Sequence, residues 1–259
     1  MDDQARLEHH LDLLWGHGTG SGRGRPARTS REQVVAAGIA RADAEGLADL
    51  SMRAVAADLG VGVMSLYTHV ESRDGLVALM TDHAFAEITG DLHPHAGEHW
   101  RDAAARQARA LWDLYGRHPW ILDHGSRLPM GPHVLAMEDA FFAVFLDIGL
   151  APVESANAAI ALRSLVTGIA RDSRSEQDEA RRTGVGLDDH WRSVNAVFWG
   201  RYFDERRYPA MTRLWYAGGF DRDDVLEEQG ILERAVGAYL DGIAVRVHSG
   251  GSGQGTGGA

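Results

Sequence analysis

Apolar residues return every three or four positions along most of this chain, with polar residues between them, the repeat of helices that bury one face. Ser30-Arg31-Glu32-Gln33 has the form of a capping box, and Val34, Val35, Ile39 and Ala42 follow at helical spacing. A helix is therefore predicted to about Glu45, with Gly46 as its stop. Ser51 caps a second, short helix that carries Val55, Ala56 and Leu59 on one face and ends at Gly60. A third runs from about Val63 to His69, and a fourth, capped by Ser72, carries Leu76, Leu79, Met80 and Phe85. Longer amphipathic stretches follow at 98–117, 131–148, 152–173, 188–203 and 222–247, divided by Gly, Pro and polar clusters. No segment alternates with period two for long enough to make a strand. The pattern predicts an all-α chain, a compact three-helix head followed by a helical bundle.

Ahead of the head, Leu7, Leu11, Leu13, Leu14 and Trp15 predict a short amphipathic helix docked on the body. Residues 16–24, where Gly alternates with other residues, and the Gly- and Ser-rich stretch 249–259 read as linkers. The expected divisions are an N-terminal arm at 1–26, a head at 27–90, a body at 91–248 and a disordered tail at 249–259.

Composition narrows the chemistry. The chain has no cysteine, which removes disulfides, zinc fingers and thiol nucleophiles. It also has no lysine, which removes a P-loop and Schiff-base catalysis. No apolar run approaches the roughly 18 residues of a membrane span, and the acidic N-terminus lacks the order of a signal peptide, so a cytoplasmic protein is expected. The net charge of −11 argues against nucleic acid as a partner, but residues 21–75 balance at zero, with seven Arg and seven acidic residues. Charges act on phosphate within roughly 8 Å at physiological salt, so a local Arg patch can work on an acidic protein.

The informative segment is Ser51–Val70. Two short helices meet at a turn containing Gly60 and Gly62, as a DNA-binding helix-turn-helix requires. Ala56, Leu59, Val61 and Leu66 would pack the two helices together. The second helix would then expose Met64, Ser65, Tyr67, Thr68 and His69 to a groove. The same pattern suits two ordinary core helices.

Residues 33–80 resemble the DNA-binding head of the TetR family of repressors. The recurring "A-x-x-G" and "A-x-x-L-G-V-x-x-x-x-L-Y-x-x-V/F-x-x-K/R-x-x-L" patterns correspond to Ala42–Gly46 and Ala56–Leu76. The Leu66-Tyr67-Thr68-His69-Val70 run is most similar to the tetracycline-repressor branch. Weaker similarity continues through Trp100-x-Asp102, His118-Pro119, the Ala-rich 152–170 stretch and Tyr208-Pro209-Ala210.

The resemblance implies a homodimer on a double-stranded DNA operator, released by a small-molecule effector. Arg53 would read a base or phosphate; Val63, Met64 and Ser65 would approach base edges and thymine methyls. Tyr67, His69 and Arg73 would hold phosphates, although Tyr67 also suits a structural wedge. The 152–173 and 222–247 helices would pair with their copies, and the small residues Ala156, Ala159 and Gly168 fit such packing. An effector pocket would be lined by Gln107, Leu111, Trp112, Tyr115, His124, Arg127, Met137, Phe141 and Trp199, each also suited to plain core packing. Thr89 stands where tetracycline binders carry His, so the implied effector is not tetracycline.

Other features carry less. Arg23-Gly24-Arg25-Pro26 matches the core of an AT-hook, which would lay Arg23 and Arg25 in an A·T-rich minor groove; a solvated linker is the alternative. His93-x-His95-x-x-x-His99 is interrupted by Pro94 and Gly97, and no metal or other cofactor is expected. Neither G-x-S-x-G nor H-E-x-x-H occurs, so no catalytic residue is assigned. An architectural DNA-binding protein without ligand, or a helical enzyme retaining the head, are the competing readings.

Overall fold

The computed structural model describes residues 3–16, 29–123, 127–219 and 228–251, all of whose regular elements are helices. The expected arm residues Arg23 and Arg25, the pocket residue His124 and the tail beyond Gly251 lie outside the described residues.

The head forms for the reasons its pattern suggests. Ser30 Oγ accepts the Gln33 amide at 3.3 Å while Gln33 Oε1 accepts the Ser30 amide at 2.8 Å, closing the start of α2 (Arg31–Glu45). Helix α3 (Met52–Asp58) starts on Ser51, whose hydroxyl accepts the Ala54 amide at 3.2 Å. Gly60 then takes a φ of +65°, a conformation that favours glycine, and leads into α4 (Val63–Leu66). Helix α4 is shorter than the expected 63–69. The chain leaves it in a turn, where the His69 and Val70 amides both donate to the Leu66 carbonyl, at 2.8 and 2.9 Å. Leu66, Val70, Val55 and Ala56 are buried together, and Arg41 of α2 grips both carboxylate oxygens of Asp58 at 2.8 Å.

Helix α5 (Arg73–Thr89), capped by Ser72, leaves the head and enters the body, packing on α2, α6 (Trp100–Arg117) and α7 (Pro132–Leu146). Gly38 of α2 lets the helices cross closely: a Cβ there would sit 2.7 Å from Met80 Sδ and force that side chain to shift. Helix α7 has no side-chain cap of its own. Asp82 of α5, almost fully buried, accepts the His133 and Val134 amides at 3.0 Å each and His133 Nδ1 at 2.8 Å. Gly131 leaves room for that carboxylate; any Cβ would overlap it.

Helix α8 (Pro152–Thr183) packs on α6, α7 and α11 (Glu228–Gly251). It runs ten residues past the expected end at 173, and α11 runs into the stretch expected as tail. The N-terminal helix α1 (Asp3–Leu14) buries Leu13 and Leu14. It docks on α5, and its end bridges to both units: Arg31 of the head donates to the Leu13 carbonyl at 3.1 Å, and Trp15 donates to the Met130 carbonyl at 3.0 Å. Helices α9 (Leu187–Arg201) and α10 (Pro209–Tyr216, not expected from the sequence) are joined by aromatic contacts, with Trp199 4.7 Å from Trp215 and 4.5 Å from Phe203.

Candidate DNA-binding face and effector cleft

The segment Arg53–Arg73 sorts its side chains by depth. Leu66 and Val70 are buried, which fixes the rotation of α4 and its following turn on the head. Met64 is 75% exposed and Tyr67 44% exposed, and Arg53, Ser65 and Thr68 also lie at the surface. Val63 and His69 are half-buried. Thr68 donates its hydroxyl to the Ser65 carbonyl at 2.7 Å, which tightens the turn. Arg73 is placed differently from the other expected contacts: its Nε donates to the Leu50 carbonyl at 2.8 Å and its Nη2 to that of Leu47. It ties down the loop between α2 and α3, leaving Nη1 3.9 Å from Asp74. The Ser30 hydroxyl first, then its own backbone, hold the Glu32 carboxyl below the ordinary range against the opposing effect of burial.

The expected pocket residues divide into three groups. Leu111, Met137 and Phe141 are fully buried core. Gln107 is also buried, its amide donating to the Leu92 and Ala140 carbonyls at 2.8 and 2.7 Å, while its Oε1 accepts no hydrogen bond. Gln107 thus links the α5–α6 loop to α7. Trp112 and Tyr115 do line a cleft, of about 250 Å³, between α6 and α8. Gly116, Pro119 and Leu122 form one wall; Ser173, Arg174, Gln177 and Arg181 of α8 form the polar one. The Tyr115 hydroxyl lies 3.2 Å from Thr167 Oγ1, and burial pushes its phenol up. Arg127 is exposed, and Trp199 belongs to the aromatic cluster of α9 and α10; neither lines the cleft. A larger open groove of about 640 Å³ runs between α6 and α11, crossed by the Arg101–Asp241 and Arg109–Glu233 ion pairs, and contains none of the expected residues.

Beside the cleft lies a cluster that sequence reasoning missed. His118, 6% exposed, begins a short 3-10 turn, Pro119–Asp123. Its Nδ1 lies 2.7 Å from Asp43 Oδ1 on α2, and its Nε2 lies 2.9 Å from Glu87 Oε1 on α5. The fully buried Trp120 donates its indole N–H to the same Asp43 oxygen at 2.7 Å, and Arg117 donates to Glu87 at 3.0 Å. Burial opposes the charge of Glu87, but His118 and Arg117 outweigh it and keep the carboxyl below its ordinary value. The only signal in the chain was the His118-Pro119 pair, whose partners are 31 and 75 residues away.

The three histidines of the 93–99 stretch have separate partners. His93 faces Asp139 at 3.5 Å, His95 faces Asp91 at 2.9 Å, and His99 Nδ1 accepts the Arg101 amide at the start of α6. No helix among the described residues is long and apolar enough to cross a membrane.

Comparison with known proteins agrees with this arrangement. Residues 93–229 match the family described as tetracyclin repressor-like, C-terminal domain. The chain is 36% identical over 207 residues to the HTH-type transcriptional repressor DrrR1 of Streptomyces coeruleorubidus, covering 79% of this chain and 75% of that protein. It is 30% identical to an HTH-type transcriptional regulator of Saccharopolyspora erythraea, covering 76% of this chain and 82% of that one. Among solved structures it is similar to apo ActR from Streptomyces coelicolor, with a TM-score of 0.70 and 22% identity over 87% of this chain and 99% of that one. It is also similar to ActR in complex with actinorhodin, with a TM-score of 0.68 and 23% identity over 83% and 95% of the two chains. A helix-turn-helix head on a body that matches the tetracycline-repressor family profile, with repressor and regulator relatives across most of its length, makes this chain a transcriptional regulator of the TetR family rather than an enzyme.

Proposed function

We propose that two copies of this chain hold an inverted-repeat operator and release it when a small aromatic molecule enters the body. The observation that carries the reading is the sorting of α4 and its turn. Leu66 and Val70 anchor the segment, and Met64, Ser65 and Tyr67 project from it. Met64 and Ser65 meet base edges, with Val63 beside them; Tyr67, His69 and Arg53 meet phosphates or the groove rim. Arg73 has one guanidinium nitrogen left for DNA and serves mainly to hold the loop after α2. Arg23 and Arg25 follow the neighbouring minor groove.

The second copy docks on the outward faces of α8 and α11. Ile160 is 44% and Val245 66% exposed there, beside the small Ala161, Ala238 and Gly242. Ala159 instead faces the core of its own protomer, at 1% exposure, and Ala156 is half-buried. The effector enters the Trp112–Tyr115 cleft, whose aromatic floor and Arg-bearing wall suit a flat, polar-edged molecule. The ActR–actinorhodin complex supports a body of this fold holding an organic ligand. The protein acts in the cytoplasm, with the DNA.

Selection of duplexes from a random pool tests the reading. The expected winners are inverted repeats with half-sites about one helical turn apart or somewhat more. Winners without two-fold symmetry, or none, would overturn it.

A further inference from the structure

Resting on that reading of the body as the ligand-responsive unit, we propose that the Asp43 carboxylate, gripped by His118 and Trp120, is the joint that passes occupation of the cleft to the DNA-binding head. Three body residues close together in the chain hold two carboxylates of other elements. Arg117 and His118 reach Glu87 of α5 at 3.0 and 2.9 Å, and His118 and Trp120 reach one oxygen of Asp43 at 2.7 Å each. Each ring nitrogen of His118 thus faces a carboxylate of a different helix, so the ring's position depends on both acids at once. Trp120, fully buried, has no water to replace Asp43 if the grip opens.

The same short segment faces the cleft. Gly116, Pro119 and Leu122 line it, and His118 and Trp120, set between them in sequence, face the head. The backbone of this 3-10 turn is fixed by the Ile121 amide, which donates to the His118 carbonyl at 3.0 Å. A molecule that pushes Pro119 or Leu122 aside therefore moves the rings that hold Asp43. Asp43 lies in the last turns of α2, which packs on α3 and on α5, so the displacement enters the head through its first helix. His118 acts here as a positioning residue and touches neither DNA nor effector.

The absence of cysteine gives a direct test. Ser173→Cys places one thiol in the cleft wall of the full-length protein, and alkylation with N-phenylmaleimide fixes an aromatic ring there. Affinity is read by fluorescence anisotropy on the duplex recovered by selection. Alkylation is expected to weaken operator binding by about tenfold or more, within the usual range of coupling between sites. With Asp43→Ala added, the same alkylation should change affinity by less than about threefold, because the joint is gone. Asp43→Ala leaves the buried Trp120 N–H without its acceptor, so Asp43→Asn, which keeps one acceptor oxygen and the shape, is measured beside it and should fall between the two. Equal weakening with and without the Asp43 carboxylate, or no weakening when it is present, would overturn the joint while leaving operator binding in place. Failure of the unalkylated Ser173→Cys protein to bind any selected duplex would overturn the operator reading itself, and the joint with it.

Discussion

The head and the body use buried anchors in opposite ways. In the head, anchors and working groups alternate within one short segment: Leu66 and Val70 are buried, and Met64, Ser65 and Tyr67 beside them are exposed. The result is an exposed edge presented by a helix of four residues. In the body, the cleft exists only where α6 and the 3-10 turn meet α8, and residues as far apart as Trp112 and Arg181 share its walls. A groove reader needs a surface that does not change. A ligand sensor needs a seam whose two sides can part.

That contrast can be broken at several points. Leu66→Ala should have the largest effect, costing about 2–5 kcal/mol by the usual range for large-to-small core changes and abolishing operator recognition with it. Leu111→Ala in the body should cost a similar amount yet leave the preferred operator sequence of the remaining folded protein unchanged. Thermal unfolding together with duplex selection separates the two, and an unaltered operator preference in Leu66→Ala would mean that the helix is not held by its core. Tyr67→Phe should cost about 1 kcal/mol of affinity on every duplex alike, as removal of one phosphate hydrogen bond does. Ser65→Ala should instead change the preferred bases. Full affinity in Tyr67→Phe would assign that ring to packing alone.

Arg23→Ala with Arg25→Ala should lower the salt slope of log K by roughly 0.9 for each phosphate no longer neutralised and weaken any preference for A·T-rich flanks. Substitution is the cleaner test than truncation, because α1 is docked: removing it would also strip Leu13, Leu14 and the Trp15–Met130 hydrogen bond from the fold. Identical slopes would make the segment a linker. The smallest effect concerns acid. Glu98 is held down to about 2, from 4.5, by the Arg106 guanidinium first and the His95 amide second, against a smaller opposing effect of burial. Its folded value lies below the unfolded one, so its contribution to stability is complete above about pH 4.5 and is lost as pH falls toward 2. Melting curves of Glu98→Gln should match wild type near pH 2 and lie below it at neutral pH.

Features written within a few residues were legible in the sequence. The capping box at Ser30, the Ser51 and Ser72 caps and the glycine turn at Gly60 depend on neighbours three or four positions away. Helix α8 was expected to stop at 173 because its apolar stripe fades there. It continues through the charge pairs Arg174–Asp178, Asp178–Arg181 and Glu179–Arg182 to a left-handed cap at Gly184. Helix α10 was not expected: it buries no residue, and its Trp215 packs on Trp199 from another helix. Pocket residues at helical spacing could not be told from core, and four of the eight described, Gln107, Leu111, Met137 and Phe141, are buried core. The Asp43–His118–Glu87 cluster was invisible for a different reason, since its meaning lies in the approach of three helices that no local pattern specifies.

The Asp82 cap on α7 gives α5 a fulcrum. Sliding α5 along its axis by even a fraction of a turn, itself about 5.4 Å, would tear its carboxylate from two amides at 3.0 Å, whereas tilting about that point leaves both bonds whole. The helix is a lever with unequal arms. At about 1.5 Å per residue, Glu87 lies some 7.5 Å to one side of Asp82 and Arg73 some 13.5 Å to the other. Arg73, at the end of the longer arm, holds the carbonyls of Leu50 and Leu47, so any tilt of α5 about Asp82 would be felt in the loop before α3.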